Sequence, residues 1–519
     1  MKEFLKKINL LPDKTDLKIW LISFCIINFA FLYHSLNFMW GNHDVEFIKK
    51  ELLLSSGLFE GRFTQFIPHR LLTSGQILPI LNNLLGFGFL TVGLWILAKY
   101  WNIKKSVIGY VLFISFAATQ PYTLSWMYFT FITLSCLFWT LLSALGLYVS
   151  ERINESSHKF SLSIFAILCF YITLGGYPPI INMFFVCLGG KLIISYVFEQ
   201  KRLKQLFQIH KYTILNIIIA AVLFKISLLA LNPNNVYNLE TESLTNLPNK
   251  FLQTLLIAFK QFFITVPFME RGYKMSLAVM SFISIIGTLF YPTPTPKKLF
   301  LTLLWLGTIW ATGLTTFLVV PHTEYVSRVD FYGFGFLYAL MGGILLTLPP
   351  KIYPSFGIFI LTILLSLNIL NDYQALKIWK QGHDAEFQIL DNIVERIENH
   401  PQFNANHQYR FYQVGDLSLR PNYYNGSFEF NDVFLLTIPY LAIWQGSNLL
   451  EFYTPTDYIN HKLPLLPEDI TPEVYEFFMK KAKPWPHPNS VYMNQDIIII
   501  VYNQTGLDEF KNILRTLRP

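Results

Sequence analysis

Charged residues are scarce in this sequence: they make up 14% of its 519 residues, whereas hydrophobic residues make up 53%. A typical soluble domain carries about 25% charged residues, so a soluble enzyme of this length is excluded. Charge is missing from long stretches, many of which reach the roughly 20 apolar residues that an α-helix needs to cross a bilayer. The composition therefore predicts a polytopic membrane protein.

Motifs for soluble cofactors are also missing. The sequence contains no glycine-rich phosphate loop, nucleophile elbow or metal-binding histidine pair, so a soluble nucleotide donor is not indicated. The net charge of +7 does not indicate nucleic acid, because the basic residues fall in short loops between apolar runs, where they set membrane orientation. The four cysteines, Cys25, Cys136, Cys169 and Cys187, lie in apolar runs without metal-ligand spacing and are predicted to pack in the core.

Apolar runs are present in eleven places, and each is predicted to form a spanning helix. Basic residues cluster in alternate loops of that count, and placing those loops in the cytoplasm satisfies the positive-inside rule throughout. The other loops, and everything after the last span, then face outward. The predicted spans are 17–39, 78–98, 106–120, 124–149, 160–176, 179–198, 212–231, 274–291, 299–320, 331–348 and 353–371.

Two segments leave alternatives open. The run at 251–268 is nearly long enough to span, but its central Lys260 would cost about 2.5–3.5 kcal/mol there, so we predict an amphipathic helix lying on the outer face. As a span, it would invert everything that follows. The sequence GGYPP at 175–179 predicts either a tight outer turn or a broken backbone at membrane depth beside a cavity.

Residues 372–519 have the composition of an ordinary soluble domain, which follows a membrane domain at 1–371. A helix is predicted at 375–398 and another at 472–481, with strands at 408–414 and 496–502. The expected fold class is therefore an α-helical polytopic membrane protein of about 11 transmembrane helices. Its C-terminal soluble domain is predicted to be α/β or α+β and to lie on the extracytoplasmic side.

The stretch that joins the first two predicted spans, NHDVEFIKKELLLSSGLFEGRFTQFIPHR at 42–70, is unusually polar. Asp44 lies just past the first span, at a depth where an ionisable group is costly and indicates function. His43 and Glu46 flank it, and His43 is a candidate substrate-binding residue, whereas Glu46 is a second candidate catalytic carboxylate. Alternatively, an Asn or Asp at this point is only the N-cap of a following helix.

Positive charge follows in the same stretch, at Arg62, His69 and Arg70. Guanidinium groups suit bidentate contacts to phosphate, and a phosphate leaving group needs such neutralisation as its charge develops. The alternative is that these arginines bind lipid headgroups nonspecifically.

A second polar cluster, PHTEYVSRVD at 321–330, lies beside a later span. Its Arg328 either pairs with Glu324 or Asp330, as exposed charges commonly do, or approaches the phosphate from the opposite side. Arg328 and Glu324 are therefore candidate substrate-binding residues.

Two segments carry a family resemblance, together with the acidic residue in the first outer loop. GRFTQFIPHRLLTSGQILPILNNLLGFGFL enters the second span, and SRVDFYGFGFLYALMGG lies late in the membrane part. They resemble the bacterial O-antigen glucosyltransferases of the serotype-converting type, within the polytopic GT-C glycosyltransferases. The resemblance covers roughly residues 17–371 and, weakly, the C-terminal domain.

The resemblance implies a GT-C-like catalytic domain that transfers a hexose, glucose in that family, with inversion at the anomeric carbon. The donor would be a polyprenyl-phosphate sugar in the bilayer of the inner (plasma) membrane. The acceptor would be a surface glycan such as lipopolysaccharide O-antigen on the extracytoplasmic face.

By the same resemblance Asp44 is the general base that takes the acceptor hydroxyl proton. Arg62 steadies the phosphate, with His69, Arg70 or Arg328 assisting. Such enzymes often carry adjacent acids in this loop, whereas here His43 precedes Asp44. That departure weakens the case for a bound divalent metal without excluding one.

Two other functions remain open: a transporter or flippase for a lipid-linked sugar, and an O-antigen polymerase. Transporters usually show repeated halves with broken helices in matching positions, and no such symmetry is visible. A polymerase would lengthen glycan chains, whereas a glucosyltransferase would decorate them.

Overall fold

A computed structural model gives the structure of the protein. It describes residues 8, 10–37, 39, 51–103, 106–231, 247–263, 269–291, 295–319, 327–348, 356–415, 459–460 and 467–517. The described chain forms two compact units. One holds the helices up to Ala375, and the other is built from Leu376 onward.

The first unit is built from α-helices with short 3₁₀ and π segments between them, as its apolar composition predicts. Its α-helices are α1 (Lys14–Ala30), α2 (Leu32–Leu36), α3 (Ile67–Leu72), α4 (Pro79–Tyr100), α5 (Val107–Ala118), α6 (Tyr122–Met127), α7 (Thr130–Arg152), α8 (Lys159–Gly176), α9 (Ile181–Val197), α10 (Leu203–Leu231), α11 (Leu247–Gln261), α12 (Arg271–Leu289), α13 (Thr295–Ala311), α14 (Leu314–Val319), α15 (Ser327–Asp330), α16 (Phe336–Thr347) and α17 (Phe356–Glu398).

Each of the eleven predicted spans overlaps helix in the described part of the chain. In the described part of the chain, seven helices are long and apolar enough to cross a membrane, and three further apolar helices are shorter. The seven are Pro79–Tyr100, Thr130–Glu155, Lys159–Gly176, Pro178–Val197, Leu203–Leu231, Arg271–Leu289 and Phe356–Gln381, and the shorter three are Val107–Ala118, Lys298–Ala311 and Phe331–Thr347.

A buried carboxylate ties α1 to α4. Asp13 and Asp16 form a reciprocal capping box, which satisfies backbone N–H groups at the start of α1. Asp16, buried beneath the cap, accepts a hydrogen bond from Trp95 Nε1 at 3.1 Å and lies 3.7 Å from Lys99 Nζ. The first helix is thus held by polar contacts as well as by apolar packing.

The segment predicted to lie on the membrane surface forms α11, and α11 is not among the candidate spans. Thr254 and Ala258 are buried on one face, whereas Leu252, Leu256 and Phe259 are exposed. A helix that buries small and polar side chains on one face and exposes large apolar side chains on the other is suited to lie in the membrane interface. Its position on the outer face remains a prediction.

The second unit is a four-stranded sheet between helices. Its elements are β1 (Tyr409–Val414), β2 (Ile459–Asn460), α18 (Pro472–Lys480), β3 (Val491–Met493), β4 (Ile497–Val501) and α19 (Gln504–Leu517). The strand order is β2-β1-β4-β3, with β1 parallel to both neighbours and β3 antiparallel to β4.

The central strand β4, IIIIV, is buried on both faces. Ile498 and Ile500 pack with the end of α17, while Ile497 and Ile499 pack with α18 and α19. This alternation follows from the two-residue period of a strand and gives a small α/β fold with two cores.

The sequence predicted the two central strands and α18 correctly but missed β2, β3 and α19. The helix predicted at 375–398 is confirmed as the end of a longer helix, because α17 runs without interruption from Phe356 to Glu398. Cys136, Cys169 and Cys187 are buried as predicted. The prediction is wrong for Cys25, whose side chain is exposed on the surface of α1.

Candidate functional site

Several of the predicted site residues lie outside the described residues. These are His43, Asp44, Glu46 and Glu324, and the side chain of Arg328 is not described either. Their roles therefore stay predictions.

Arg62 is placed by a turn that only glycine suits. Gly61 ends the 3₁₀ helix Leu54–Glu60 with a φ of 70°, and a Cβ there would lie 2.6 Å from Leu228 Cδ1. The next residue, Arg62, extends its guanidinium over the ring of Tyr177, with Cζ 5.2 Å from the ring centroid. A planar cation stacked on an aromatic ring is held in one orientation.

The GGYPP segment lies directly beneath this loop. It is a tight turn, because α8 ends at Gly176 and a 3₁₀ turn at Pro178–Ile180 leads into α9. The loop is fastened to it: the Thr64 amide donates to the Gly175 carbonyl at 3.0 Å, and the Thr64 hydroxyl donates to the Ile172 carbonyl at 2.6 Å. The hydrogen bonds of Thr64 and the ring of Tyr177 thus fix the position of Arg62 relative to this turn.

An aromatic cluster continues inward from Tyr177. The Trp126 ring meets Tyr177 edge-on at 4.9 Å and lies 5.7 Å from Tyr332. These residues come from α6, from the turn after α8 and from the π segment Phe331–Gly335. All three rings are buried, so the cluster packs the interior of the helical unit next to Arg62.

His69 lies in the short helix α3 and is fully buried. Its Nδ1 is 3.0 Å from the Ser135 hydroxyl, and Nε2 has no hydrogen-bond partner among the described residues. Burial lowers the pKa of His69 to about 3, because the apolar surroundings disfavour the imidazolium. His69 thus offers hydrogen bonds at neutral pH, and the positive charge expected of it is not supported.

Arg70 points to a different partner. Its guanidinium forms an ion pair with the Glu51 carboxylate and also reaches the Ser74 carbonyl at 3.4 Å. Because both side chains are partly exposed, the pair contributes about 0–1 kcal/mol to stability. The contact joins α3 to the residues just before the 3₁₀ helix Leu54–Glu60.

A buried polar group that the sequence did not reveal lies at the start of α12. Lys274 is fully buried and donates from Nζ to the Tyr122 hydroxyl at 3.2 Å. The ammonium also faces the rings of Tyr338 and Phe334, at 5.5 and 5.9 Å. Asp330 is its electrostatic partner and is equally buried.

Two polar atoms near Lys274 lack a hydrogen-bond partner within the described chain: Asp330 Oδ1 and the Tyr338 hydroxyl. Buried polar groups normally have one. Sequence reasoning treated Asp330 only as a partner for Arg328, and Lys274 only as the first residue of a span.

An apolar groove of about 420 Å³ opens between the first helices and α17. It is lined mainly by Phe29, Tyr33, Leu36, Ile369 and Leu370. The rings of Tyr33 and Tyr373 meet at 5.1 Å across it. Asn37, which follows α2, also lines the groove.

No group of three metal-ligating side chains occurs in the described ranges.

Comparison with known proteins gives one match. Residues 50–348, more than half of the chain, match the family described as Glucosyl transferase GtrII. No curated protein and no solved structure matches. The matched range includes Arg62, the GGYPP turn, the aromatic cluster and Lys274, and it confirms the resemblance drawn from the sequence. The chain belongs to the GtrII glucosyl transferase family of serotype-converting O-antigen glucosyltransferases.

Proposed function

We propose that this glucosyltransferase moves glucose from a polyprenyl-phosphate donor to a surface glycan such as lipopolysaccharide O-antigen, on the extracytoplasmic face of the inner membrane. Family membership carries the proposal, since it implies glucosyltransferase activity on a glycan. It also favours transfer of a sugar over the flippase and polymerase alternatives.

A lipid-linked donor is supported by the apolar groove between α1, α2 and α17. Its lining is apolar and open toward the hydrocarbon side of the helices, as the exposure of Phe29, Leu36 and Leu370 indicates. We place the polyprenyl chain of the donor in this groove. Arg62, stacked on Tyr177, would then neutralise the departing phosphate.

In the proposed reaction Asp44 removes the proton from the acceptor hydroxyl, and the acceptor oxygen attacks the anomeric carbon. The new bond joins that oxygen to the anomeric carbon, while the bond from the same carbon to the phosphate oxygen breaks. Polyprenyl phosphate leaves with the electron pair. Attack from the face opposite the phosphate inverts the anomeric configuration. Glu46 is the second carboxylate available in the loop.

An Asp44→Asn variant tests the assignment. The carboxamide keeps the size of the side chain but removes the base, so transfer to the surface glycan should fall by at least about 100-fold, the usual contribution of general-base catalysis. Glycan mass spectrometry and in vitro transfer with the full-length protein provide the measurement.

The matched control is Glu476→Gln, because Glu476 is exposed on α18 and forms an ion pair with Lys480. This control should retain wild-type transfer. Full activity in a correctly inserted Asp44→Asn protein would remove Asp44 as the base.

A further inference from the structure

The second unit lies outside the range matched by the family, and it contains a groove of about 530 Å³. The groove is formed by the last turns of α17 and by the Trp485–Pro486 segment that follows α18. Volumes of this size are typical of sites for small ligands. Its hydrogen-bonding side chains are Asn392, Glu395, Arg396, Asn399 and His400, and Trp485 lies among them.

Arg396 is immobilised at the bottom of the groove. Its guanidinium lies 4.3 Å over the Trp485 ring. It donates to the His487 carbonyl at 2.9 Å, to the Ser490 hydroxyl at 3.0 Å and to the Pro486 carbonyl at 3.2 Å. The Arg396 guanidinium is already engaged in these internal hydrogen bonds. Arg396 and Trp485 therefore form a rigid, flat floor of the groove rather than a cationic contact for a ligand.

The wall of the groove is one face of α17. Asn392, Glu395 and Asn399 are exposed and lie three and four residues apart, so they project from the same side of the helix. Within the described chain, no side chain pairs with the Glu395 carboxylate or the Asn399 carboxamide. Both groups are therefore available to a ligand.

The charge of the groove selects among ligand classes. The negative charge of Glu395 and the positive charge of Arg396 sum to zero. Burial lowers the pKa of His400, which favours a neutral imidazole. A groove without net charge does not suit phosphate or nucleic acid. Carboxamide, carboxylate and imidazole groups beside an indole suit hydroxyl groups and the apolar faces of sugar rings.

We propose that this groove binds an uncharged segment of the acceptor glycan, away from the hydroxyl that receives glucose. The inference rests on the proposed function, because it takes the surface glycan as acceptor. The groove would raise the affinity for the polysaccharide, while the membrane unit performs the transfer.

The test uses the full-length protein in lipid nanodiscs, a synthetic polyprenyl-phosphate glucose donor and delipidated surface polysaccharide from the producing cell. The E395A/N399A double variant removes the two available groups from an exposed helix face, so it should fold normally. The KM for polysaccharide should rise about 10-fold, the loss expected for about two hydrogen bonds. The kcat and the KM for the donor should not change.

A control with the same residue types is E509A/N512A, on the exposed face of α19 in the same unit. It should behave like the wild type. An unchanged polysaccharide KM in E395A/N399A would overturn the inference while leaving the proposed function intact.

Direct titration of the polysaccharide without donor separates the two proposals. The wild type and the control should bind about 10-fold more tightly than E395A/N399A, even if the chosen donor supports no transfer. Equal binding by all three proteins would overturn the groove assignment, whereas binding without any transfer would count against the donor or the acceptor chemistry. Preferential binding of an unrelated peptide over the polysaccharide would also overturn it.

Discussion

Buried polar side chains define the chemistry of the membrane unit at the scale of single residues. Lys274 and Asp330 are both fully buried, and His69 is buried beside Ser135. A buried charge or imidazole is costly unless partners compensate. The sequence identified His69 as a candidate because it lies beside Arg70. It did not predict that the His69 ring is buried, because that burial depends on α7, which is distant in sequence.

His69 should make the folded protein sensitive to acid. Its folded-state pKa of about 3 lies below the unfolded value of about 6.5. Above pH 6.5 neither state binds a proton at this ring. As the pH falls from 6.5 toward 3, only the unfolded state binds one, so stability falls by up to ~1.4 kcal/mol per pH unit.

The His69→Gln variant should therefore lose about 2 kcal/mol less stability than the wild type between pH 7.5 and pH 5.0. Thermal unfolding in detergent micelles at the two pH values measures this difference. His158 is exposed, and His158→Gln should keep the wild-type dependence. The same pH dependence in all three proteins would contradict the placement of His69.

At the scale of secondary-structure elements, the site depends on the close packing of the turn between α8 and α9 against its neighbours. The turn between α8 and α9 lies against Trp139 of α7 and Phe63 of the first loop, since Cβ atoms at Gly175 and Gly176 would meet those side chains. The sequence showed the GGYPP break, but the choice between a turn and a cavity depended on what packs over it. The structure shows a turn whose Gly175 carbonyl accepts a hydrogen bond from the Thr64 amide.

A Gly176→Ala variant should be destabilised by about 1–3 kcal/mol, because the new Cβ would lie 2.4 Å from Trp139 Nε1. The melting temperature in detergent measures this effect. The matched control is Gly307→Ala in α13, where a Cβ meets nothing within 4 Å. That substitution should stabilise the helix by up to about 1 kcal/mol. Equal melting temperatures for the two variants would refute the close approach.

The helix α17 also shows where sequence reasoning stopped short. The apolar run ends near Asn371, yet the helix continues to Glu398 because Leu376, Trp379 and Leu390 maintain a buried face. At 43 residues it is roughly 65 Å long, about twice the roughly 30 Å hydrocarbon core of a bilayer. A single span accounts for only half of it.

The orientation of the chain belongs to the scale of the whole molecule. Apolar runs were enough to predict which segments are helical, but not which helices cross the membrane: α5 and α13 are helices of marginal length. Basic loops supply the orientation through the positive-inside rule. Eleven spans would place the C-terminal domain, predicted at 372–519, outside the cytoplasm.

A reporter fused after residue 519 should therefore report an extracytoplasmic location. An alkaline phosphatase fusion should be active and a fluorescent protein that folds only in the cytoplasm should be dark. The same reporters fused after Lys201, in a loop predicted to be cytoplasmic, should give the opposite pair of signals. A bright, phosphatase-negative fusion at residue 519 would overturn the eleven-span topology.

The distribution of cysteine leaves the second unit without a single thiol, since all four cysteines precede residue 188. Three of them are buried in helices, and Cys25 faces outward from α1. A cysteine introduced on α17 or α19 would then be the sole site there for a water-soluble maleimide dye. The native thiols should therefore contribute little dye signal. The fluorescence of a dye on the introduced cysteine can then be used to measure binding of polysaccharide by the C-terminal domain during turnover.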